Sequence, residues 1–382
     1  MPQPSQPDYF DELKEWSKRK LQLLEDYVKA ASKIMGIIGR VYYVDGFAGE
    51  GFYDDNSKGS PVRIAELAQS YEKEAKPYSL KCINIEESRK RFANLQGATV
   101  EFGNLVLNLP GTFVDNIDRI LREIGDQPTI CFLDPFGLKG IDWMGVKKII
   151  NRGTRSSTDF WIRFDTQTAS RLYGFFDSLI PNAEQYLETL SNVFGIEDKT
   201  YLYSRLAGKT AEDRFQNALH LYMERLVNEF KKARGSGYAD VYPIKTLSGK
   251  IKYYLVFATA HPKGITLASE VVYKVEETYQ REVQEFKEMQ PRQLSLFSSE
   301  PTQEEIFKEK VDRLKKDIWK ACKGRTLSRT DIYISIIQEW FGKVSGKHMN
   351  EALKDLKNSG HILKIDGAIS QGGTNFTFRD LD

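Results

Sequence analysis

Apolar residues follow two rhythms along this chain, unbroken runs and helical spacing, and the alternation between them predicts its elements. Continuous runs rich in β-branched and aromatic residues read as strands buried on both faces. They fall at Arg40–Val44, Ser79–Ile85, a short Thr99–Phe102, Pro128–Leu133 and Asp159–Asp165. Between them lie helical patterns. One runs from Asp8, which can cap it, to about Ala31, with Leu13, Trp16, Leu21, Leu24 and Val28 on one side. Others span Val62–Tyr71, opened by Gly59-Ser60-Pro61, then Glu87–Gln96 and Trp143–Asn151. Strands alternating with helices predict a mostly parallel α/β sheet. About Thr168 to Lys232 is helical with no strand-like run, too long for an ordinary crossover. It reads as an insertion that lids a pocket or binds substrate. Ala239–Leu247 and Lys250–Ala260 then form a hairpin across Ser248-Gly249, followed by a closing helix from about Leu267 to Glu288.

The pattern breaks at Met289–Gln303, which is polar and carries two prolines, and reads as a linker. Beyond it, helices are expected at 304–323, 328–341 and 346–359. Strands at His361–Ile365 and Asn375–Phe378 follow, with a turn at Asp366-Gly367 or Gly372-Gly373. Three helices and a β-hairpin make a winged helix. The expected plan is a disordered 1–8, a Rossmann-type domain over 9–288 with its helical insertion at 168–232, a linker at 289–303 and a winged helix over 304–382.

Composition changes this picture little. The 382 residues and 41% apolar content support a sizeable core, with room for two or three domains. A net charge of +2 leaves any nucleic-acid surface to local patches. One exists: between Arg313 and Lys364 there are 12 Lys and Arg against 5 Asp and Glu. On the expected recognition helix, Lys347, Lys354 and Lys357 share a face with Asn350, which suits phosphate contacts with one base-reading amide. The three cysteines, Cys82, Cys131 and Cys322, are far apart and read as buried small hydrophobes of a reducing cytoplasm. The four histidines show no metal-ligand spacing, so no metal is expected. No apolar run suits a signal peptide or a membrane span.

The chemistry gathers where strands end. Tyr43-Val44-Asp45-Gly46-Phe47-Ala48-Gly49-Glu50-Gly51 closes a strand with an acid and then a glycine turn, whose backbone can lie against a ligand with no Cβ between. A dinucleotide site would lead straight into a helix, whereas Gly51 is followed by loop. Asp45-x-Phe47-x-Gly49-x-Gly51 resembles the first motif of S-adenosylmethionine (SAM)-dependent methyltransferases, whose loop passes the methionine part of the cofactor. Glu86, ending the second strand, sits where Rossmann-type folds hold ribose hydroxyls; the alternative is a helix-capping glutamate. In those enzymes an Asp or Asn after the third strand meets adenine, which points to Asn104. Asp134-Pro135-Phe136-Gly137 lies at a strand's carboxyl end, where open α/β sheets bind ligands. It resembles the Asp/Asn-Pro-Pro-aromatic motif of amino-group methyltransferases with the second proline missing, and is more similar to that of tRNA guanine-N2 methyltransferases. That likeness implies that Asp134 and nearby carbonyls accept hydrogen bonds from a target amine while Phe136 stacks on the base. The alternative is a structural turn in which Asp134 caps a helix. Arg163 and Asp165 either approach the substrate or pair internally.

Together, Trp16, Lys20 and Tyr27, Asp45-Gly-Phe-Ala-Gly-Glu-Gly, Gly59-Ser-Pro and Asp134-Pro-Phe-Gly resemble the three-Cys-motif partner (TcmP) family over roughly residues 10–290. The resemblance implies a methyltransferase-like fold and a partner protein bearing a cysteine motif. In the linker, Gln293-Leu294-Ser295-Leu296-Phe297 resembles the peptide by which bacterial DNA enzymes dock on a sliding clamp; otherwise its apolar residues pack on the adjacent domain. The expected function is SAM-dependent methylation of an exocyclic amine on DNA or RNA. Asp45, Phe47, Gly49, Gly51, Glu86 and Asn104 would hold cofactor. The competing class is a catalytically inactive adaptor of the same fold binding nucleic acid or a protein. A metal-dependent nuclease would need clustered acids, for which Asp54, Asp55 and Asp134 are the nearest set.

Overall fold

The computed structural model describes residues 14–135, 137, 140–153, 156–165, 183–289 and 302–380. Its first helix, α1 (Glu15–Met35), buries Leu21, Leu24, Tyr27, Val28 and Ala31 along one side. The expected start at Asp8 lies outside the described residues. Seven strands follow in chain order: β1 (Val41–Asp45), β2 (Leu80–Glu86), β3 (Val106–Pro110), β4 (Thr129–Leu133), β5 (Thr158–Asp165), β6 (Tyr238–Lys245) and β7 (Ile251–Thr259). They form one sheet in the order β3-β2-β1-β4-β5-β7-β6. The first five are parallel, and β7 runs antiparallel to both β5 and β6. β1, β4 and β5 are buried at every position, which explains their unbroken apolar runs.

The third strand is not where the pattern placed it. Helix α3 (Arg89–Thr99) runs into a 3₁₀ turn over Val100–Leu105, and the strand begins at Val106. Thr99 hydrogen-bonds back to the Leu95 carbonyl at 2.7 Å as part of the helix. β3 is an edge strand whose polar Asn108 is held by Asn84 of β2 at 3.0 Å and by Thr99 at 2.8 Å. Those partners are set by the fold, so Val-Leu-Asn-Leu reads only weakly as a strand in one dimension.

Helices α2 (Ser60–Lys73), α4 (Ile117–Ile124) and α5 (Trp143–Asn151) complete the crossovers. On one sheet face, Tyr27 of α1 meets Trp161 and Phe257 edge-on, with ring centroids 5.5 and 5.2 Å apart. The other face is covered by α4, α5 and the inserted helices α6 (Ala183–Phe194), α7 (Lys199–Leu206) and α8 (Ala211–Arg234). Phe215, Tyr222 and Phe230 of α8 pack on Phe164, Trp143 and Phe160. Residues 168–182 of the expected insertion lie outside the described residues. The described helices fill the core where a crossover helix would, because β5 and β7 have an apolar face to cover.

Contacts divide the chain into Met1–His261 and Pro262–Asp382. The second unit holds α9 (Pro262–Met289), α10 (Gln303–Cys322), β8 (Thr326–Ser328), α11 (Arg329–Trp340), α12 (Gly346–Asn358), β9 (Ile362–Asp366) and β10 (Asn375–Phe378). Its sheet is antiparallel in the order β8-β10-β9. α9, expected to close the first domain, is grouped instead with the second: Ser269 bonds the Tyr333 hydroxyl at 2.6 Å and accepts the Gly342 amide at 2.7 Å. Most of the expected linker, including the clamp-like peptide Gln293–Phe297, lies outside the described residues. Among the described residues no helix is long and apolar enough to cross a membrane.

Candidate active site

The strand order reverses at β1 and β4, and open α/β sheets form their ligand crevice at the carboxyl ends of such strands. Asp45 pairs across from Phe132 there, two residues before Asp134. A cleft of about 440 Å³ opens at this edge. It is lined by the 46–53 turn, Ser60, Glu86, the Gly111–Val114 segment after β3, Asp134, Pro135, Arg163 and Tyr253, with Trp16 and Lys20 from α1.

Asp45 is fully buried and organises the turn. Its carboxylate accepts hydrogen bonds from the Ser60 hydroxyl at 2.6 Å, the Tyr43 hydroxyl at 3.0 Å and the Phe47 amide at 3.1 Å. Burial raises its pKa to about 6, against the pull of those donors. Gly49 and Gly51 both have positive φ, 68° and 93°. A Cβ on Gly51 would stand 2.6 Å from the Ala98 methyl, so this position requires glycine on two counts. Glu86 accepts the Gly49 amide at 3.0 Å and the Ser88 amide at 2.7 Å. It therefore fixes the glycine turn and the approach to α3 together while lining the cleft; the N-cap of α3 is Ser88. Phe47 is half-buried, and a Cβ on Gly140 would meet its ring at 2.7 Å and Pro135 at the same distance. The two motifs thus abut.

Asp134 is not a helix cap; Asp142 caps α5 through the Gly145 amide at 3.0 Å. The Asp134 carboxylate is bound on one oxygen by Lys20 and on the other by Arg163, the latter at 3.3 Å. Arg163 also binds Asp165 at 3.0 Å, so it both lines the cleft and pairs internally. Burial works against the Lys20 charge, and the Asp134 carboxylate with the Tyr253 and Tyr53 hydroxyls outweighs it, so its pKa is raised. The Tyr253 ring lies 4.5 Å from the Arg163 guanidinium carbon. Its buried hydroxyl has no hydrogen-bond partner among the described residues.

The structure thus brings Phe47, Gly49, Gly51, Glu86, Asp134 and Pro135 to one cleft, whereas Asp45, expected at the cofactor, is fully buried behind the turn it holds and does not line the cleft. Phe136 lies outside the described residues. Asn104 is exposed in the 3₁₀ turn and does not line the cleft. The shift of β3 accounts for this, because the chain reaches the cleft only after Pro110, at Gly111–Val114. Asp54 and Asp55 are exposed and join no cluster with Asp134 there. Tyr253 and the linking role of Arg163 and Lys20 have no local signal, since they come from β7, β5 and α1. In the second unit, Lys347 is exposed, Lys354 pairs with Glu351 at 2.9 Å, and Lys357 donates to the Leu363 carbonyl at 2.6 Å. Asn350 accepts from Arg329 at 3.1 Å.

No protein-family model and no curated protein matches this sequence. Among solved structures, an O-methyltransferase from Bacillus cereus in complex with SAH aligns at 15% identity and a TM-score of 0.32, covering 67% of this chain and 84% of that one. The O-methyltransferase TomG from Streptomyces achromogenes, in complex with SAM, aligns at 14% identity and 0.31, covering 64% and 80%. The methyltransferase domain of bacterial CtHen1 aligns at 9% identity and 0.34, covering 64% and 100%.

Proposed function

We propose that this chain is a SAM-dependent methyltransferase acting on an exocyclic amino group of a nucleic-acid base. The observation that carries the reading is the convergence of the Asp45 glycine turn and the Asp134-Pro135 turn on one cleft, at the reversal of strand order. The cleft's volume of about 440 Å³ is of the size that takes a small-molecule ligand. Bare backbone at Gly49 and Gly51 and the nearby Glu86 carboxylate suit a cofactor with an ammonium group and ribose hydroxyls, and Asp45 supports them from behind by fixing the turn. When bound, SAM supplies an electrophilic methyl group on a sulfonium.

The remaining work is positioning. Each Asp134 oxygen is held by one cation, which fixes the carboxylate plane and leaves lone pairs for an amine N–H. Tyr253 lines the same cleft, and its buried hydroxyl has no hydrogen-bond partner among the described residues. Orienting the acceptor nitrogen toward the methyl group supplies most of the acceleration in such a reaction. The second unit, read as a winged helix, brings the substrate. The three-Cys-motif resemblance adds a partner protein to this scheme.

Calorimetry with SAM tests the cofactor: the wild type should bind, and Asp45→Ala should bind far more weakly. Equal titrations would remove the assignment. Asp134→Ala should keep SAM affinity and lose at least ~100-fold in methyl transfer to nucleic acid. Transfer at the wild-type rate in that folded variant would sink the role of Asp134.

A further inference from the structure

We infer that the second unit grips the phosphodiester backbone of a nucleic-acid duplex through the outer face of α10, an inference that rests on the nucleic-acid reading above. Arg313, Lys316 and Lys320 recur on α10 at i, i+3 and i+7, and so form one stripe, with Lys323 next to it as the C-cap. All four are exposed. Arg313 leans on the Trp340 ring, its guanidinium carbon 5.6 Å from the centroid. Lys316, Lys320 and Lys323 make no ion pair among the described residues.

Two acids of α10 beside this stripe have other partners, while the exposed Glu309, one turn before Arg313, lies on the same side. Asp312 pairs with Lys315 at 2.7 Å, and Asp317 accepts the Trp340 indole N–H at 2.9 Å. Lys315 is itself turned to Asp355 of α12 at 3.0 Å. By contrast, α12 carries Glu351 and Asp355 among its own lysines, and the Glu351 and Leu363 carbonyl contacts hold Lys354 and Lys357. The exposed α10 lysines are therefore freer to meet a phosphate than Lys354 and Lys357.

The surface continues past the helix end. The Gly324 amide bonds the Arg379 carbonyl at 3.1 Å, and the Phe378 amide bonds the Arg325 carbonyl at 2.9 Å. These pairings set Arg325 and Arg379, both exposed, beside Lys323. Asp380 is at the same end, near Gly324. Cations in a last helical turn also stabilise the helix dipole, which accounts for Lys320. That effect does not explain a stripe begun at Arg313 and extended by two arginines outside the helix. From Lys316 to Lys323 the lysines span roughly 10 Å at the α-helical rise, enough to face successive phosphates of one strand.

The test uses the full chain and a short DNA duplex, titrated at several salt concentrations, with an RNA duplex of the same sequence as a second arm. One triple variant carries Lys316→Ala, Lys320→Ala and Lys323→Ala; another carries Lys347→Ala, Lys354→Ala and Lys357→Ala. The first should reduce the salt slope by up to about three, near 0.9 per lost phosphate contact, and the second should reduce it less. SAM titration and circular dichroism on both variants confirm an intact fold. An unchanged slope in the α10 variant with loss in the α12 variant would overturn the placement and leave the nucleic-acid reading standing. No duplex binding by the wild type would overturn both.

Discussion

Single side chains in this protein carry opposed demands that stability measurements can expose. Asp159 is buried, accepts the Tyr27 hydroxyl at 2.6 Å, and has its pKa raised to about 6 by burial. A folded-state pKa above the unfolded value means that the native state takes up a proton, so stability falls as pH rises through about 6. Asp159→Asn removes the charge and keeps an oxygen for Tyr27. It should match the wild type near pH 4 and exceed it by up to about 3 kcal/mol above pH 7, read by urea unfolding across pH. A pH-independent difference would refute this. The Lys20–Asp134 pair makes the reverse case, since removing Lys20 leaves the part-buried Asp134 carboxylate with only Arg163, which Asp165 shares. Lys20→Met should cost on the order of 3 kcal/mol, and Asp134→Asn added to it should restore part of the loss. Strict additivity of the two changes would show that they are not coupled.

At the scale of elements, the turn between β1 and α2 is the most constrained piece. Gly51 combines φ of 93° with a Cβ position 2.6 Å from Ala98, a methyl on helix α3 that cannot swing aside. Gly51→Ala should destabilise by about 1 kcal/mol or more and abolish SAM binding, because the turn must move to relieve the contact. Calorimetric SAM affinity equal to wild type would show that the turn's shape does not matter. Gly249, in the β6–β7 hairpin, also has positive φ, 84°, but nothing lies within 4 Å of its Cβ position. Gly249→Ala should therefore cost stability through backbone strain alone and leave SAM affinity untouched.

At the scale of the whole molecule, the grouping of α9 with the C-terminal elements predicts how the chain divides. A Cβ on Gly342 would stand 2.3 Å from Val272, so the α11–α12 turn closes directly on α9. Ser269 of α9 satisfies the Gly342 amide and the Tyr333 hydroxyl. A fragment starting at Pro262 should therefore fold with a higher melting temperature than one starting at Thr302, which loses the Ser269 acceptor of the buried Gly342 amide. Equal melting temperatures would mean that α9 is dispensable to this unit.

The sequence by itself determined what depends on short-range order. Strands at β1, β2, β4 and β5, the hairpin, the helices after the linker and the turns carrying Asp45 and Asp134 were legible because burial on both faces writes an unbroken apolar run, and a tight turn writes glycine and proline. Burial of Cys82, Cys131 and Cys322 follows from the same logic. Tertiary structure alone decided the rest. β3 is an edge strand defined by its bonds to β2, so its place could not be read from residues 99–110 in isolation. The insertion's helices became core because β5 and β7 present a face that needs covering. The partners of Asp134 come from Lys20 and Arg163, 114 and 29 residues away along the chain. Such pairings depend on which elements the sheet brings together, and side-chain charge in a linear sequence does not encode that.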